Sequence, residues 1–330
     1  MNQISPVRAE EILNAARGKR IAVLGDFMLD RHLKGSVRRI SPEAPVPVVE
    51  IESESTGLGG AGNVVQNLGT LGVQPFAFGV MGEDAAGQVM LGHLQMAGAV
   101  TTGMIISSGR KTTEKTRIIA HDQHVVRADR ETVGDISQDE ESQLLKALEA
   151  AASSLHAIIL QDYNKGVLTG RVIEAVLKIA ATHKVLVGVD PKFEHFFDYR
   201  RTHLFKPNLR ELERALGVQI ADEEQLVAAG RTLFDRIAPD LLLVTRGEKG
   251  MTLFHGRDVM QHIPTRAMHV SDVSGAGDTV ISTCMAAETG GASPAEAAVL
   301  ANYAAGVVCG EVGVVPIERR RLLEVIAQRD

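Results

Sequence analysis

The sequence predicts an α/β fold, a mainly parallel sheet with helices on both faces, joined to a small antiparallel β lid. Short apolar runs that end in glycine or a polar residue alternate with helix-period segments through most of the 330 residues. This alternation is typical of parallel strands whose crossover helices cover both faces of a sheet. Two strand-like segments, 46–53 and 115–129, break the alternation, and the second has the pattern of a hairpin. We therefore expect residues 1–330 to form one domain with a lid from about 31–56 and 110–130.

The predicted strands of the main sheet are short and apolar, as buried strands are. In chain order they are RIAVLGD (20–26), QPFAFGVMG (74–82), HAIILQD (156–162), KVLVGVD (184–190) and DLLLVTRG (240–247). Two of the predicted helices begin with a capping box, in which an N-cap side chain and an acid three residues later cap each other. One box pairs Ser137 with Glu140, and the other pairs Asn208 with Glu211.

Composition and charge exclude several classes of protein. A hydrophobic share of 45% and a charged share of 23% are ordinary for a soluble chain. The net charge of −6 argues against a general nucleic-acid binder, and Cys284 and Cys309 have neither zinc-site nor disulfide spacing. The N-terminus lacks the apolar core of a signal peptide, and the apolar helical stretch 297–310 is too short to span a bilayer. We expect a cytoplasmic protein that binds neither nucleic acid nor membrane.

The stretch TGLGGAGNVVQNLG, which begins at Thr56, contains the G-x-G-x-x-G fingerprint of dinucleotide-binding proteins. An NAD oxidoreductase needs a strand that runs directly into the first glycine, with an acid further on for the ribose, here Asp84. The segment ESEST separates the preceding strand from Gly57 and would have to form an unusually long turn. The plainer alternative is a glycine-rich turn that lets a helix pack closely. The NAD hypothesis is therefore the remote one.

A second glycine motif, VSDVSGAGDTVIST (270–283), predicts an anion site. Gly275 and Gly277 let backbone N–H groups approach a ligand, and the apolar helix pattern after them puts those groups at a helix N-terminus, which attracts anions. Asp278 beside this site would repel a phosphate but could accept a proton from a hydroxyl that attacks it. The alternative is that Asp278 only caps the helix.

The two glycine motifs resemble the signatures of the ribokinase (PfkB-type) carbohydrate kinases. DVSGAGDT is similar to the C-terminal signature of that family, GGAGNVVQNLGTLG to its N-terminal signature, and LGDFMLD to its first strand. The resemblance extends over essentially the whole chain and implies a ribokinase-like fold. It also implies that Asp30 binds substrate, that the backbone of Gly59 and Gly60 lies close to a sugar, and that Asn63 contacts the sugar hydroxyls. The dinucleotide fingerprint would then be accidental.

A narrower resemblance points to the family's kinases for D-glycero-β-D-manno-heptose 7-phosphate, in bacterial ADP-heptose (lipopolysaccharide core) biosynthesis. Its segments are GDFMLDRHLKGSVRRISPEAPVPVVEI, KTRIIAHDQHVVRAD and DPK (190–192). It implies phosphorylation of the anomeric hydroxyl to give the 1,7-bisphosphate. Because the sequence contains no H-x-G-H nucleotidyltransferase motif, we expect the stand-alone form of the kinase, without adenylyl transfer. A fructose, ribose or ketodeoxygluconate kinase of the same family is the alternative.

The resemblance also implies how ATP and Mg²⁺ bind, since the sequence has no P-loop motif. ATP would lie along the C-terminal ends of the later strands, with Asn208 and Glu211 near the triphosphate and Mg²⁺. A plain capping box explains these two residues equally well. Thr245 and Gly247 would lie on the nucleotide side, and Asp272 is the candidate for a monovalent cation, K⁺. The N–H groups of Gly275, Ala276 and Gly277 would form an anion hole, with Asp278 as the base.

Basic residues of the lid suggest a dianionic substrate, because arginine can hold a phosphate through two parallel hydrogen bonds. The alternative for these basic residues is a solvated basic face. For Asp26 the alternative is a structural role, since acids commonly terminate buried strands. The full set of predicted substrate-binding residues is Asp26, Asp30, Arg39, Gly59, Gly60, Asn63, Lys115, Arg117, Asp162 and Lys165. A small lid sheet is marginal alone and exposes strand edges, so we expect a homodimer paired through the lids.

Overall fold

The computed structural model describes residues 3–121, 123–257, 259–267 and 270–328. The strands in these residues are β1 (Arg20–Gly25), β2 (Phe27–Ile40), β3 (Pro47–Gly60), β4 (Gln74–Gly82), β5 (Val100–Ser107), β6 (Glu114–Ala120), β7 (Gln123–Arg130), β8 (Ala157–Gln161), β9 (Leu186–Asp190), β10 (Leu204–Phe205), β11 (Leu241–Thr245), β12 (Met251–His255) and β13 (Met260–Ile263). The α-helices are α1 (Pro6–Ala15), α2 (Ala61–Thr70), α3 (Ala85–Met96), α4 (Gln138–Ala152), α5 (Gly170–His183), α6 (Leu209–Leu216), α7 (Glu223–Ile237), α8 (Ala276–Thr289), α9 (Pro294–Val308) and α10 (Arg319–Ala327).

Nine of the described strands form the main sheet, in the order β13-β12-β11-β10-β9-β8-β1-β4-β5. Neighbours from β11 to β5 pair in parallel, whereas β12 and β13 add an antiparallel edge. The five strands predicted from the apolar runs correspond to β1, β4, β8, β9 and β11. The predicted fold class is confirmed, and so are both capping boxes, at the starts of α4 and α6.

Two apolar cores lie on opposite faces of the main sheet. On β1, Ile21 and Val23 belong to one core while Ala22 and Leu24 belong to the other, since successive side chains of a strand point to opposite faces. The first core is completed by α1, α2, α3 and α8 to α10, and the second by α4 to α7. Both faces of the central strands are therefore buried, which explains their continuous apolar runs.

The small sheet has the strand order β3-β2-β6-β7. The predicted hairpin is confirmed as β6 and β7, which pair antiparallel and turn at His121, where φ is 51°. Asp122, which belongs to the predicted lid, lies outside the described residues. The sequence analysis did not predict β2, because its outer half is polar and lacks an apolar alternation. β2 pairs antiparallel with β3 and parallel with β6.

The glycine-rich segment corrects one expectation. ESEST is not a turn, because β3 continues through it to Gly60 and leads straight into α2. The strand nevertheless belongs to the small sheet, where it runs antiparallel to β2, so it does not build the parallel unit that a dinucleotide site requires. A Cβ on Gly62 would lie 2.9 Å from Leu58 Cβ, which supports the alternative of close helix packing.

Asp84, the candidate ribose ligand of the NAD hypothesis, is the N-cap of α3. Its carboxylate accepts hydrogen bonds from the N–H groups of Gly87 at 2.8 Å and Thr112 at 3.0 Å. Its side chain therefore joins the start of a helix to the loop before β6. In the part of the chain that the structure describes, no helix is both long enough and apolar enough to cross a membrane.

Candidate active site

Polar side chains collect at the C-terminal edge of the main sheet. Asp26 follows β1, Gln161 ends β8, Asp190 ends β9 and Lys206 follows β10. Each of these residues is 6% exposed or less, although polar side chains are rarely buried without a specific reason. The carboxyl ends of parallel strands are where open α/β sheets bind ligands, and the N-terminus of α8, with Asp278, meets the sheet at this edge.

Asp278 is buried and accepts three side-chain hydrogen bonds. Asn63 Nδ2 donates to its Oδ2 at 2.8 Å, whereas Gln161 Nε2 and the Tyr163 hydroxyl donate to its Oδ1 at 3.0 and 2.8 Å. Burial and the nearby charge of Asp190 raise the pKa of Asp278 to about 6, against the opposing effect of the donated hydrogen bonds. The carboxylate is thus oriented from two sides and is poised to exchange a proton near neutral pH.

Asp190 and Lys206 form a buried ion pair beside Asp278. Lys206 Nζ lies 3.0 Å from Asp190 Oδ2, and the same oxygen accepts a hydrogen bond from Gln161 Nε2 at 3.1 Å. Gln161 therefore connects the two carboxylates through one amide. The pair places the positive charge of Lys206 at the edge of the sheet, and the carboxylate of Asp190 neutralises that charge.

The start of α8 explains why its glycines are needed. Gly275 is the N-cap with φ of 77°, and a Cβ there would lie 2.6 Å from Asn63 Nδ2. A Cβ on Gly277 would lie 3.4 Å from Lys206 Nζ, so the backbone of this turn is close to the ammonium. Ala276 N–H donates to Val273 O at 3.2 Å. The next N–H groups, of Gly277 and Asp278, lie in the first helical turn, where intrahelical acceptors are lacking.

The residues predicted to face the nucleotide come together on adjacent elements. Asn208 and Glu211 form the capping box, with hydrogen bonds of 2.8 and 2.9 Å, and Asn208 forms a parallel bridge with Thr245. Gly247 begins a single 3₁₀ turn two residues later. Glu211 also forms an ion pair with Lys192, so its carboxylate already interacts with a cation. Within the residues described, no three His, Cys, Asp or Glu side chains come together as a metal cluster.

The residues predicted to hold the sugar divide into two groups. Asp30 Oδ1 accepts from Arg117 at 2.7 Å, and a Cβ on Gly59 would lie 2.7 Å from Asp30 Oδ2, so this glycine is required by the carboxylate. Lys115 stands opposite Asp30 in the pairing of β2 with β6. Gly60, the N-cap of α2 with φ of 57°, leads to Asn63 in the first turn.

Asp26 and Asp162 form the other group, and their carboxylates are engaged within the protein. Asp26 accepts from the backbone N–H groups of residues 163, 165 and 167 at 2.7, 3.0 and 3.3 Å. Asp162 accepts from the Tyr199 hydroxyl at 2.7 Å and from Asn164 N–H at 2.8 Å. Burial, with the charge of Asp162, raises the pKa of Asp26 to about 6. Both acids hold the loop after β8, which is the structural role that sequence alone left open for Asp26.

The basic residues of the predicted lid do not form one cluster. Lys115 and Lys165 are close, since burial and the charge of Lys165 both lower the pKa of Lys115. Lys165 Nζ lies 2.8 Å from Glu131 Oε1. Arg39 is exposed and lies nine residues along β2 from Asp30, about 30 Å at the usual rise of a strand. The structure therefore does not bring Arg39 close to Asp30.

Asp272, the candidate cation ligand, joins two loops. Its oxygens accept from Ser274 N–H at 2.9 Å and Gly313 N–H at 3.2 Å, and these hydrogen bonds, working against burial, lower its pKa.

Four residues at the centre of the site were not predicted from the sequence, namely Gln161, Tyr163, Asp190 and Lys206. Their positions at or just after strand ends are the signal that could have identified them.

Comparisons with known proteins identify the family of the chain. A family model for the "pfkB family carbohydrate kinase" matches residues 19–319. The chain is 41% identical over 318 residues to "Bifunctional protein HldE" of Pelobacter propionicus, covering 96% of this chain and 65% of that protein. It is 42% identical over 304 residues to the protein of the same name from Paramagnetospirillum magneticum, covering 92% of this chain and 62% of that one. The chain thus spans less than two thirds of the length of these curated relatives.

Solved structures show the same fold at low sequence identity. Ribokinase of Arabidopsis thaliana, complexed with ribose and ATP, has a TM-score of 0.74 at 19% identity and covers 94% of this chain and 99% of that one. Phosphofructokinase-2 of Escherichia coli, in complex with potassium, has a TM-score of 0.78 at 16% identity with the same coverage. The ribokinase-like fold is confirmed, and the range matched by the family model includes the glycines of 57–62. The chain belongs to the pfkB family of carbohydrate kinases.

Proposed function

We propose that the protein transfers the γ-phosphoryl group of ATP to the anomeric hydroxyl of D-glycero-β-D-manno-heptose 7-phosphate, giving the 1,7-bisphosphate and ADP. The observation that carries the proposal is the position of Asp278, a buried carboxylate with a pKa near 6 at the glycine-lined N-terminus of α8. A base and an anion site are adjacent there, which is the arrangement that phosphoryl transfer to a hydroxyl requires.

The reaction forms a bond between the anomeric oxygen and the γ-phosphorus and breaks the bond from that phosphorus to the oxygen retained by ADP. The proton of the anomeric hydroxyl goes to Asp278, whose hydrogen bonds from Asn63 and Gln161 fix its orientation. Negative charge on the transferring group is stabilised by N–H groups at the start of α8 and by the ammonium of Lys206, which is close to Gly277.

Residues of the nucleotide side fit ATP and Mg²⁺ by the chemistry of their donors. Glu211 supplies a carboxylate and Asn208 an amide beside Thr245 and Gly247, and Mg²⁺ in kinases is usually held by one or two carboxylates with substrate phosphates. Mg²⁺ neutralises phosphate charge when it is bound. Because Glu211 pairs with Lys192 in this structure, the carboxylate would exchange one cation for another. We assign the monovalent cation, K⁺, to the loop of Asp272.

The basic residues beside Asp30 support a phosphorylated sugar as the substrate. Arg117, Lys115 and Lys165 bring three positive charges to one side of the sugar site, against Asp30 and Glu131, which pair with two of them. A dianionic phosphate can replace a carboxylate partner of arginine through two parallel hydrogen bonds. The resemblance of the β2, β3 and β6 segments to heptose 7-phosphate kinases favours the heptose over other sugars. The proposal covers the kinase reaction only.

We further propose that the four strands β3-β2-β6-β7 act as a lid over the sugar and pair with those of a second subunit. The lid strands carry exposed apolar residues, including Ile51 at 47% and Val126 at 50% exposure. Pairing of two subunits would cover them, in keeping with the behaviour of unprotected strand edges. We expect this assembly to operate in the cytoplasm.

A screen of sugars with Mg-ATP, read by ADP release, tests the function. Heptose 7-phosphate should give the highest kcat/KM, and unphosphorylated heptose should be a poor substrate. Fructose, ribose, ketodeoxygluconate and their phosphates should react more slowly than heptose 7-phosphate. Equal turnover of free and phosphorylated heptose would overturn the phosphosugar assignment, and a faster reaction with another sugar would replace the heptose by that sugar.

A further inference from the structure

The loop that follows β8 is held against the main sheet by one buried carboxylate. Asp26 Oδ2 accepts from Tyr163 N–H at 2.7 Å and from Lys165 N–H at 3.0 Å, and its Oδ1 accepts from Val167 N–H at 3.3 Å. Three hydrogen bonds to a single buried side chain fix the path of this loop, since breaking them would leave a buried carboxylate without partners. The backbone of Tyr163 is therefore held in place by the fold.

Tyr163 directs its hydroxyl to the carboxylate of Asp278. The hydroxyl donates to Asp278 Oδ1 at 2.8 Å, the same oxygen that accepts from Gln161. The ring lies beneath the ammonium of Lys192, with 5.4 Å between Nζ and the ring centroid. A phenol held both at its ring and at its backbone makes a hydrogen bond of well-defined direction.

We propose that Tyr163 is a positioning residue for the base, whose hydroxyl orients the carboxylate of Asp278 and stabilises its ionised form. The inference rests on the proposed function, since it gives Asp278 the role of base. A hydrogen bond donated to a carboxylate stabilises the charged form. Burial, assisted by the charge of Asp278, raises the pKa of Tyr163 well above its ordinary value, so the phenol remains a donor throughout the neutral range.

The charged groups around Asp278 leave a neutral hydrogen-bond donor able to stabilise its ionised form. The charged or titratable groups that face Asp278 are Asp190 at the end of β9, Lys192 in the next loop, Lys206 after β10, and Tyr163 itself. Asp190 raises the pKa of Asp278, whereas Lys206 lowers it less than the hydrogen bonds of Asn63 and Tyr163 do. Loss of the Tyr163 hydroxyl should therefore raise the pKa of the base.

The test compares Tyr163→Phe with the wild-type enzyme between pH 5.5 and 9, using kcat/KM for the sugar phosphate at saturating Mg-ATP. The acidic limb of the profile should move to higher pH by about one to two units, the scale of a hydrogen bond to a charged group. KM for ATP should stay nearly unchanged, and the loss of activity should be smaller at pH 9 than at pH 7. An acidic limb that stays in place would overturn the proposal.

Tyr199→Phe is the matched control. It also removes a buried hydroxyl from a carboxylate near the end of β8, since Tyr199 donates to Asp162 at 2.7 Å, but that carboxylate is not Asp278. This variant should lose stability without moving the acidic limb. A shift equal to that of Tyr163→Phe would show that any lost buried hydroxyl changes the profile, and would overturn the specific role of Tyr163.

Two further variants separate this inference from the proposed function. Asp278→Asn should lose most of its turnover, and if it does while Tyr163→Phe keeps the wild-type limb, only the role of Tyr163 fails. If Asp278→Asn retains turnover, the base assignment itself fails. A 3-fluorotyrosine at position 163 keeps the shape of the side chain and makes the phenol a stronger donor, so its acidic limb should move to lower pH. An upward shift, or none, would contradict the proposal.

Discussion

Lys206 Nζ lies 3.0 Å from Asp190 Oδ2, and this ion pair is almost completely buried at the C-terminal edge of the main sheet. The two residues come from neighbouring strands, since β9 ends at Asp190 and β10 ends immediately before Lys206. A buried pair of this kind is weak evidence for stability in itself, because desolvation offsets much of the attraction. Loss of one partner, however, leaves the other charge buried without its ion-pair partner.

Lys206→Met should therefore destabilise the protein by about 3–5 kcal/mol, the usual cost of breaking a buried pair. Urea unfolding monitored by circular dichroism measures this loss. The double variant Lys206→Met/Asp190→Asn should recover much of the stability, because no buried charge then remains unpaired. Turnover should stay low in both variants, since each lacks the ammonium near Gly277. A single variant as stable as the wild type would show that Asp190 finds another partner.

Asp278→Asn should reduce turnover by roughly 10²–10⁴-fold while ATP binding is largely retained, because the amide keeps the shape but accepts no proton. In the wild type the acid form of Asp278 cannot act as a base, and its pKa is raised to about 6. Activity should therefore be full above that pH and fall about tenfold per unit below it. Steady-state kinetics and isothermal calorimetry with ATP give the two quantities. Near-normal turnover in the variant would reduce Asp278 to a helix cap.

Arg117→Met and Lys165→Met should each raise KM for heptose 7-phosphate while KM for ATP stays nearly unchanged. A contacting residue should cost about 1.5–3 kcal/mol, as a hydrogen bond to a charged group does. Lys146→Met is the control, since this lysine is exposed on α4, away from the sugar side. If both variants raise KM no more than the control does, the phosphate group is bound elsewhere.

Gly275→Ala should reduce activity more than the same substitution at a glycine with positive φ elsewhere. The added Cβ would lie 2.6 Å from Asn63 Nδ2, which donates to Asp278, so the substitution should both strain the turn and displace the base. Gly18→Ala is the matched control, with φ of 71° against 77° but no atom within 4 Å of the added Cβ. The control should cost about 1 kcal/mol of stability and no activity. Equal activity in the two variants would contradict the importance of the contact.

The protein should be a homodimer at micromolar concentration, with twice the chain mass of 35.4 kDa by light scattering. Val126→Glu on β7 should give monomers, because a charge there would have to be buried at the interface. Val133→Glu replaces a valine that is 77% exposed outside the small sheet, and it should remain dimeric. A monomeric wild type would remove the proposed assembly.

Sequence patterns were sufficient to predict five of the nine strands described in the main sheet, because continuous apolar runs such as those at β1, β8 and β9 indicate burial on both faces. They were also sufficient for the capping boxes and for the 115–129 hairpin. They failed at β2, where the outer half of the strand is polar, and at ESEST, where strand pairing continues β3 through polar residues of low strand propensity.

The candidate site was predicted in part. Asp278 and its glycines follow from local chemistry, since a short motif contains both the helix start and the acid. Gln161, Tyr163 and Asp190 are distant from Asp278 in sequence, and only the parallel order of β8 and β9 brings them to it. The loop-holding role of Asp26 depends on backbone N–H groups, which no side-chain pattern reveals. The positions of Gln161, Tyr163 and Asp190 at or just after strand ends mark these residues as candidates, but no pattern in one sequence pairs them with Asp278.

β2 begins directly after Asp26 and β3 ends directly before Ala61, so the two longest strands of the small sheet meet the main body side by side. Ala61 N–H donates to Asp26 O at 3.0 Å. The residue before β2 and the residue after β3 are therefore joined by a hydrogen bond. β3 also contacts α3, where the Thr56 hydroxyl and the His93 ring lie within hydrogen-bond distance at 2.9 Å. Two residues after Ala61, Asn63 donates a hydrogen bond to Asp278. A movement of β2 and β3 near Gly60 should therefore reach the proton acceptor through Asn63.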